Sequence, residues 1–473
     1  MSQPVQLPRV MGLRDLVFLH VVAIIGLRWL LTAANIGPSS IILWLVAVLL
    51  FFIPQGLAVL ELSSRLPEEG GIYVWTREAF GPLHGFICGW AYWVNNLIYY
   101  PSLIVFIAGN AVYIWGRQYA GLADNPLYQV GFSLGVLWLA IGTNIVGLRT
   151  GRWVHNAGAA ATWIIVAILI ILAGAALAAG WGRNPFAQGS LMPDISQSNV
   201  GLWSSLCFAL AGLELAVIMG GEVRDPGRSL PRSILVAAPI IAGIYIIGTL
   251  AVLTISPAEG TSLVTGIVDI IASTGDKLGL PLTRLVGLLI VVTGLGALGA
   301  WLAGSARIPF VVGLDRHLPP ILGRLHPRWQ TPYVALLVQG VGASFFILVS
   351  VLGSSLEEAY LVLVDTTIIV YFIPYLYLFL AVGVLRRREA GSARPAFRIP
   401  GGKLGVGLVG VIGFATTALS IVLASIPSEV AAAPVWFFVK VVGGAAGLLL
   451  VGLTFYFWNA RVRRPDLPGT PAA

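Results

Sequence analysis

Charge is scarce in this chain. Only 10% of its 473 residues are Asp, Glu, Lys or Arg, against about 25% in soluble domains, while 58% are hydrophobic and the mean hydropathy is +0.90. The length alone would suggest about three soluble domains of roughly 150 residues, but no soluble surface can be built from so few polar groups. Cysteine is nearly absent too. Cys88 and Cys207 lie within apolar stretches, which argues against a structural disulfide, and no metal-ligand spacing occurs. The five histidines are scattered, and there is neither a phosphate loop nor a His-Glu-x-x-His helix, so no resident metal or cofactor is expected.

What the chain has in abundance is uncharged length. Eleven stretches contain no charged residue: 29–60, 79–116, 125–148, 153–182, 195–213, 233–258, 285–306, 329–356, 366–385, 404–428 and 441–460. Each is long enough, or nearly so, to cross about 30 Å of hydrocarbon as a helix. A twelfth apolar run, Leu16 to Leu27, leads through Arg28 into the first of them, which has room for a turn and a second crossing. The expectation is an all-α integral membrane protein of twelve transmembrane helices. Continuous apolar runs argue against a barrel, whose strands alternate in segments of about ten residues. Gly26-Leu27-Arg28-Trp29 is no small-residue cleavage site, so the first run is read as span 1 and not as a cleaved signal.

The basic residues orient this arrangement. With the N-terminus inside, 22 of the 28 Lys and Arg fall on cytoplasmic islands, against Arg117, Arg183, Lys277 and Arg284 outside. That bias places both termini in the cytoplasm, of a cell whose inner membrane is the expected location. It also accounts for the net charge of +8 through anionic lipid, with no nucleic-acid partner. Nothing in the sequence speaks to the oligomeric state.

Two spans depart from plain lipid-crossing helix. Span 1 carries Ile24-Ile25-Gly26-Leu27-Arg28, and span 6 carries Phe208-Ala209-Leu210-Ala211-Gly212-Leu213-Glu214; each has a glycine and a charge mid-span. Irregular or charged backbone at that depth is tolerated only inside protein or beside a water-filled cavity. Interruptions at matching places in two halves point to a transporter site between repeats. Unwinding exposes amides at one half-helix end and carbonyls at the other, so a carboxylate and an ammonium can each be met by backbone. Close packing by Gly26 or Gly212 is the plainer account of either break taken alone.

The residues around these breaks carry a resemblance. Ile24-Ile25-Gly26, then Leu66-Pro67-Glu68-Glu69-Gly70-Gly71-Ile72-Tyr73-Val74-Trp75 and Ala79-Phe80-Gly81-Pro82-Leu83-His84-Gly85-Phe86, resemble the amino acid-polyamine-organocation family of permeases. So do Phe208 to Glu214 with Gly221-Glu222-Val223-Arg224-Asp225-Pro226-Gly227-Arg228, and Ala306-Arg307-Ile308-Pro309-Phe310 through Asp315-Arg316-His317-Leu318-Pro319-Pro320 to Thr331-Pro332. The resemblance implies one transporter domain over 1–473, with a five-plus-five inverted repeat. Repeat one spans about 12–182, repeat two about 197–388, and the last two helices lie outside the repeats at about 403–460. It further implies alternating-access transport of an amino acid or related amine, by exchange or with protons or sodium. Ile24, Ile25 and Gly26 inherit the substrate-backbone role in span 1; Phe208, Ala209, Leu210 and Gly212 inherit it in span 6, with Phe208 as the stacking or gating aromatic.

Two places differ from the family pattern. Where the family has Gly-Ser-Gly-Ile-Phe, this chain reads Gly26-Leu27-Arg28-Trp29-Leu30. A guanidinium at that depth costs at least about 2.5 kcal/mol unless paired or hydrated. Arg28 therefore has three accounts: it binds a substrate carboxylate bidentately, it pairs with Glu214, or it reaches the outer interface. In span 5, some relatives carry a lysine about six residues after the asparagine of His155-Asn156, and this chain has Ala160-Ala161-Thr162-Trp163 instead. Thr162 either ligates sodium or bonds back within its helix.

Glu214 is the candidate for proton linkage, and Asp365 in span 10 is a second acid near membrane depth. In span 3, Tyr92, Asn95, Asn96 and Tyr99 share one helix face too deep for an interfacial belt, so Asn96 is placed at the substrate cavity. Pro54, Pro239 and Pro374 are read as kinks, and His20 as an interhelical hydrogen-bonding residue. A channel would show a pore loop or charged ring, and an intramembrane enzyme would need a nucleophile or acid–base pair at depth; Cys207 and Glu214 are nearly two turns apart. The reading is a transporter and not an enzyme. An amino acid is the first choice of substrate and a polyamine or other organic amine the second, because Arg28 facing the cavity would repel a polycation.

Overall fold

The computed structural model describes residues 8–184, 186, 192, 197–256, 262–350, 356–388, 396–426 and 434–462. Among these residues every regular element is helical, and the one pairing of extended backbone is an isolated parallel bridge between Met11 and Val223. Nine of the described helices are long and apolar enough to cross a bilayer, or ten when a bent pair counts as one span.

In chain order the bent pair is α1 (Leu13–Ile24) and α2 (Leu27–Ile36). Next come α3 (Ser40–Arg65), α4 (Ile72–Phe80), α5 (Pro82–Ala111), α6 (Pro126–Val146) and α7 (Leu148–Ala178). The interrupted pair α8 (Gln197–Ala209) and α9 (Leu215–Ile218) follows, then α10 (Pro226–Ile255), α11 (Gly266–Lys277), α12 (Thr283–Leu314), α13 (Tyr333–Ser350) and α14 (Leu356–Arg387). The last two are α15 (Gly402–Ala424) and α16 (Val435–Asn459). Two of the twelve expected spans fall short of a full crossing by length. The sixth is cut between α8 and α9, and the ninth is a shorter apolar helix, Tyr333–Val349.

Several local features follow from named residues. Pro54 supplies no N–H and crowds the carbonyl four residues back, and the turn before it widens into a π-helical stretch, Val48–Phe52. Pro239 and Pro374 are carried inside α10 and α14. The residues after the Glu-Glu-Gly-Gly loop form a helix of their own from Ile72. So do residues of the charged segment after α10, as α11; charge had hidden its apolar side from the hydropathy reading.

α5 is the axis of the bundle: 89% of its apolar window is buried, against 22% for α16. α16 lies at the edge, where Val435, Trp436, Leu450 and Trp458 are exposed, an apolar surface that lipid and not water can cover. α12 packs closely against both α5 and α7. The α7–α12 contact is made at Gly158 and Gly296, where a Cβ on either would stand 2.8 Å from the Cα of the other. Without a solvent-driven force between helices in lipid, such close backbone approach is what holds them together.

Candidate functional site

The first span breaks at Gly26. α1 ends at Ile24, Ile25 and Gly26 are extended, and α2 restarts at Leu27 with its axis turned by 44°. A broken helix leaves amides and carbonyls without helical partners, and at membrane depth protein has to meet them. Tyr245 of α10 does so: its hydroxyl accepts the Gly26 N–H at 3.1 Å and donates to the Ile24 carbonyl at 2.6 Å. The Trp301 indole of α12 donates to the Ala23 carbonyl at 2.9 Å.

The second break follows Ala209, where α8 stops. Gly212 has φ +128°, a conformation that favours glycine. A Cβ there would also lie 3.0 Å from Ile24 Cγ1 and 3.3 Å from the Trp301 ring, so the two breaks touch. The Gly212 N–H donates to the Tyr375 hydroxyl at 2.8 Å, and the Tyr245 hydroxyl lies 3.1 Å from the Ala209 carbonyl. A phenol has a single proton, so the carbonyls of Ile24 and Ala209 compete for it, and one of them always lacks this donor.

Between the breaks lies a narrow cavity with room for about one water molecule. Trp29, Tyr99, Phe208, Trp301 and Tyr371 form an aromatic box around it, Ile24 and Ala209 bring the broken backbone, and Asn95 and Asn96 supply polar side chains. Phe208 is the hub of the box, meeting Trp29, Tyr99 and Tyr371 edge-on at centroid distances of 5.6, 6.0 and 5.5 Å. A second small cavity beside it shares Ala23 and Tyr99 with the first and is bordered by Ile25, Gly26, Arg28 and Thr293. Arg28 is 2% exposed, its guanidinium 4.7 Å from the Trp29 ring centroid and 5.1 Å from that of Tyr99. It opens α2, where a cation opposes the positive helix end.

Glu214 lies beneath the second break, fully buried. Its carboxylate accepts from Tyr92 at 3.0 Å, Tyr371 at 2.6 Å and Tyr375 at 2.6 Å. Among the described residues these phenols are the hydroxyl partners of Glu214. Gln55 has a carboxamide orientation that pairs both its ends, donating to the Leu210 carbonyl at 3.3 Å and accepting from the Leu213 N–H at 3.2 Å.

Not every anticipated residue comes to this place. Thr162 bonds back to the Gly158 carbonyl at 3.0 Å and reaches the Thr293 hydroxyl at 3.4 Å, outside the aromatic cavity. Asp365, on α14, borders neither cavity. His20 meets Ser233 at 3.3 Å.

A separate polar cluster lies beside the start of α1, where the Val10 and Met11 N–H groups donate to the Glu222 carbonyl. Arg307 of α12 grips Glu222 at 2.7 Å and stands 3.7 Å from Glu69, while the Gly221 N–H donates to Glu69 at 2.8 Å. Burial, then the Glu222 carboxylate beside it, push Glu69 up to about 8, against the opposing pull of Arg307 and the Gly221 N–H. Glu222 is likewise raised by burial, with Arg307 opposing. Nearby, Asp315 accepts from Arg77 and, at 2.7 Å, from Tyr73.

Sequence reasoning did not single out Tyr245, Tyr371, Tyr375, Trp301, Gln55 or the Glu69–Glu222–Arg307 cluster for these roles. Tyr245 had a usable signal, a hydroxyl midway along the uncharged stretch 233–258. The contacts of the others depend on which helices become neighbours.

Comparison with known proteins accords with this geometry. The family model described as amino acid permease matches residues 11–451. An uncharacterized transporter of Legionella pneumophila is 31% identical over 424 residues, covering 89% of this chain and 90% of that protein. A serine/threonine exchanger of Bacillus subtilis is 28% identical, covering 77% of this chain and 79% of its own. A probable agmatine/putrescine antiporter of Lactococcus lactis is 25% identical over 78% of each. With a family model running across almost its whole length and transporters as its relatives, the chain belongs to the amino acid permease family of membrane transporters, within the amino acid-polyamine-organocation group, and is not an enzyme.

Proposed function

We propose that this protein is a secondary active transporter that moves an amino acid across the cytoplasmic membrane by alternating access, as an exchanger or with protons. The observation that carries this reading is the meeting of two broken helices over an aromatic-lined cavity. The adjoining cavity, across Ala23 and Tyr99, offers the start of α2 and Arg28, which suit a carboxylate. The other offers the carbonyls of Ile24 and Ala209, only one of which can hold the Tyr245 proton at a time, and these suit an ammonium. The proposed frame is twelve spans in a five-plus-five inverted repeat, over about 12–182 and 197–388, with α15 and α16 outside it and both termini cytoplasmic.

Coupling runs through Glu214 if protons are used. Thr162, engaged within its own helix and with Thr293, is the weaker candidate for a sodium ligand. A polyamine is the second substrate reading, favoured by the π faces of the cavity and opposed by Arg28 across the shared wall. The Legionella, Bacillus and Lactococcus relatives, taken by their names, leave both classes open.

The test is counterflow in proteoliposomes with amino acids, the matching decarboxylated amines and diamines, alongside thermal shift in detergent. A ligand at 100 times its Kd adds about 2.7 kcal/mol of stability. Uptake and stabilisation by amino acids but not by their amines supports the reading; a response to diamines alone replaces it with the polyamine one.

A further inference from the structure

The polar side chains of the cavity carry an inference about what kind of amino acid enters. Asn95 and Asn96 on α5 are 2% and 0% exposed, both line the aromatic cavity, and neither side-chain oxygen meets a hydrogen-bond donor. The Asn96 orientation is fixed chemically. Its Nδ2 donates to the Tyr92 carbonyl at 2.8 Å, and since a carbonyl only accepts, Oδ1 has to be the free end. Buried carbonyl-type oxygens are nearly always paired, so two adjacent ones without donors, on the wall of a cavity between two helix breaks, define a place where a ligand supplies the donors.

The rest of the lining narrows the ligand. Trp29, Tyr99, Phe208, Trp301 and Tyr371 offer π faces and no carboxylate. Glu214, bonded to Tyr371 of the lining, is already engaged by Tyr92, Tyr371 and Tyr375. A cationic side chain would therefore enter without a counter-ion and with the Arg28 guanidinium across the Tyr99 wall, and a carboxylate side chain would bring only further acceptors to the two asparagine oxygens. An aliphatic side chain would leave both asparagine oxygens unmet.

We propose that Asn95 and Asn96 determine specificity, selecting an amino acid whose side chain is uncharged and ends in a hydroxyl or carboxamide. This rests on the cavity being the substrate site, and names the substrate class for it. A site built to hydrogen-bond a group discriminates strongly against the isostere that lacks it, because the protein's own polar atoms are then stranded. For one lost bond the expected factor is about ten to a hundred in affinity.

The experiment is counterflow by the purified full-length protein in proteoliposomes with shape-matched pairs: threonine against valine, serine against alanine, glutamine against methionine, with lysine and putrescine as charged comparators. The wild type is expected to prefer the polar member of each pair by tenfold or more. Asn95→Val is expected to bring threonine and valine within about twofold of each other, and Asn96→Ala to narrow the serine to alanine gap. Equal exchange of threonine and valine by the wild type overturns the proposal, and needs no variant to fold. So does an Asn95→Val protein that is folded, active and still selective. Preferential exchange of lysine also overturns it, while leaving the amino-acid reading intact. Failure of the underlying reading looks different, since no amino acid of any kind then exchanges.

Discussion

Removing one oxygen atom, with Tyr245→Phe, is the most informative perturbation of the fold. The hydroxyl accepts the Gly26 N–H at 3.1 Å, donates at 2.6 Å toward Ile24 and stands 3.1 Å from the Ala209 carbonyl. The ring itself stacks on Trp44 at 4.5 Å between centroids, and phenylalanine preserves that contact, so the substitution isolates the hydrogen bonds. It strands a buried N–H and at least one carbonyl, and each unsatisfied group costs about 1–3 kcal/mol. The expected loss of unfolding free energy is about 2–6 kcal/mol, toward the lower end if water from the adjoining cavities reaches the break. Tyr128→Phe is the matched control. That hydroxyl makes a single bond, to the Ala108 carbonyl at 2.9 Å, in a partly buried place, and its loss should cost about 1 kcal/mol. The assay is equilibrium unfolding in mixed micelles, with both variants measured against wild type. A Tyr245→Phe loss below that of Tyr128→Phe would refute the claim that one phenol holds both breaks.

Four further outcomes are expected. Gly212→Ala should cost about 1–3 kcal/mol from backbone strain at positive φ, and more once its methyl meets Ile24; an unchanged unfolding midpoint would contradict the geometry. Arg28→Ala should weaken binding of an amino acid more than binding of its decarboxylated amine, read by thermal shift, and equal losses would remove the carboxylate role. Glu214→Gln should flatten the pH profile of exchange if protons are coupled there, whereas a wild-type profile would take Glu214 out of coupling. Glu69 sets a pH dependence of stability. Its folded value, about 8, lies above the ordinary 4.5, so between those values the folded protein keeps a proton that the unfolded chain has lost, and stability falls as pH rises through that window. Melting curves from pH 5 to 8.5 should show Glu69→Gln gaining on wild type toward the alkaline end; parallel curves would exclude it.

The spans and both breaks were legible because their signals are local. A run without charge reports burial in lipid, and Gly26 or Gly212 in such a run reports a helix that can stop. The shape of the chain around them was not legible to the same degree. α11 was missed because Asp269, Asp276 and Lys277 mask the apolar residues it buries. Arg28 and Glu214 looked like natural partners because each is a lone charge mid-span, yet Glu214 is ringed by phenols from α5 and α14, and sequence periodicity does not report which neighbouring helix presents a tyrosine. Asn95 and Asn96 were visible as a polar stripe, and their having no donors could be seen only once Phe208, Trp301 and Tyr371 were in place around them.

The partners of the broken backbone bear on how the proposed transport would work. Helix ends in lipid can be satisfied by rigid main chain, as an unbroken helix does, or by side chains borrowed from neighbours. Here the borrowed groups are hydroxyls and an indole N–H on other helices: Tyr245 on α10, Tyr375 on α14 and Trp301 on α12. These are neutral hydrogen bonds of ordinary length, of a strength that a substrate's ammonium or carboxylate meets or exceeds. Exchanging a phenol for a substrate group therefore costs little free energy. A break sealed by its own backbone would give up more to open, and one sealed by ion pairs would trap the substrate's charges. Breaks met by aromatic hydroxyls are thus neither sealed by their own main chain nor fixed by ion pairs, which is the balance that the proposed alternating access requires.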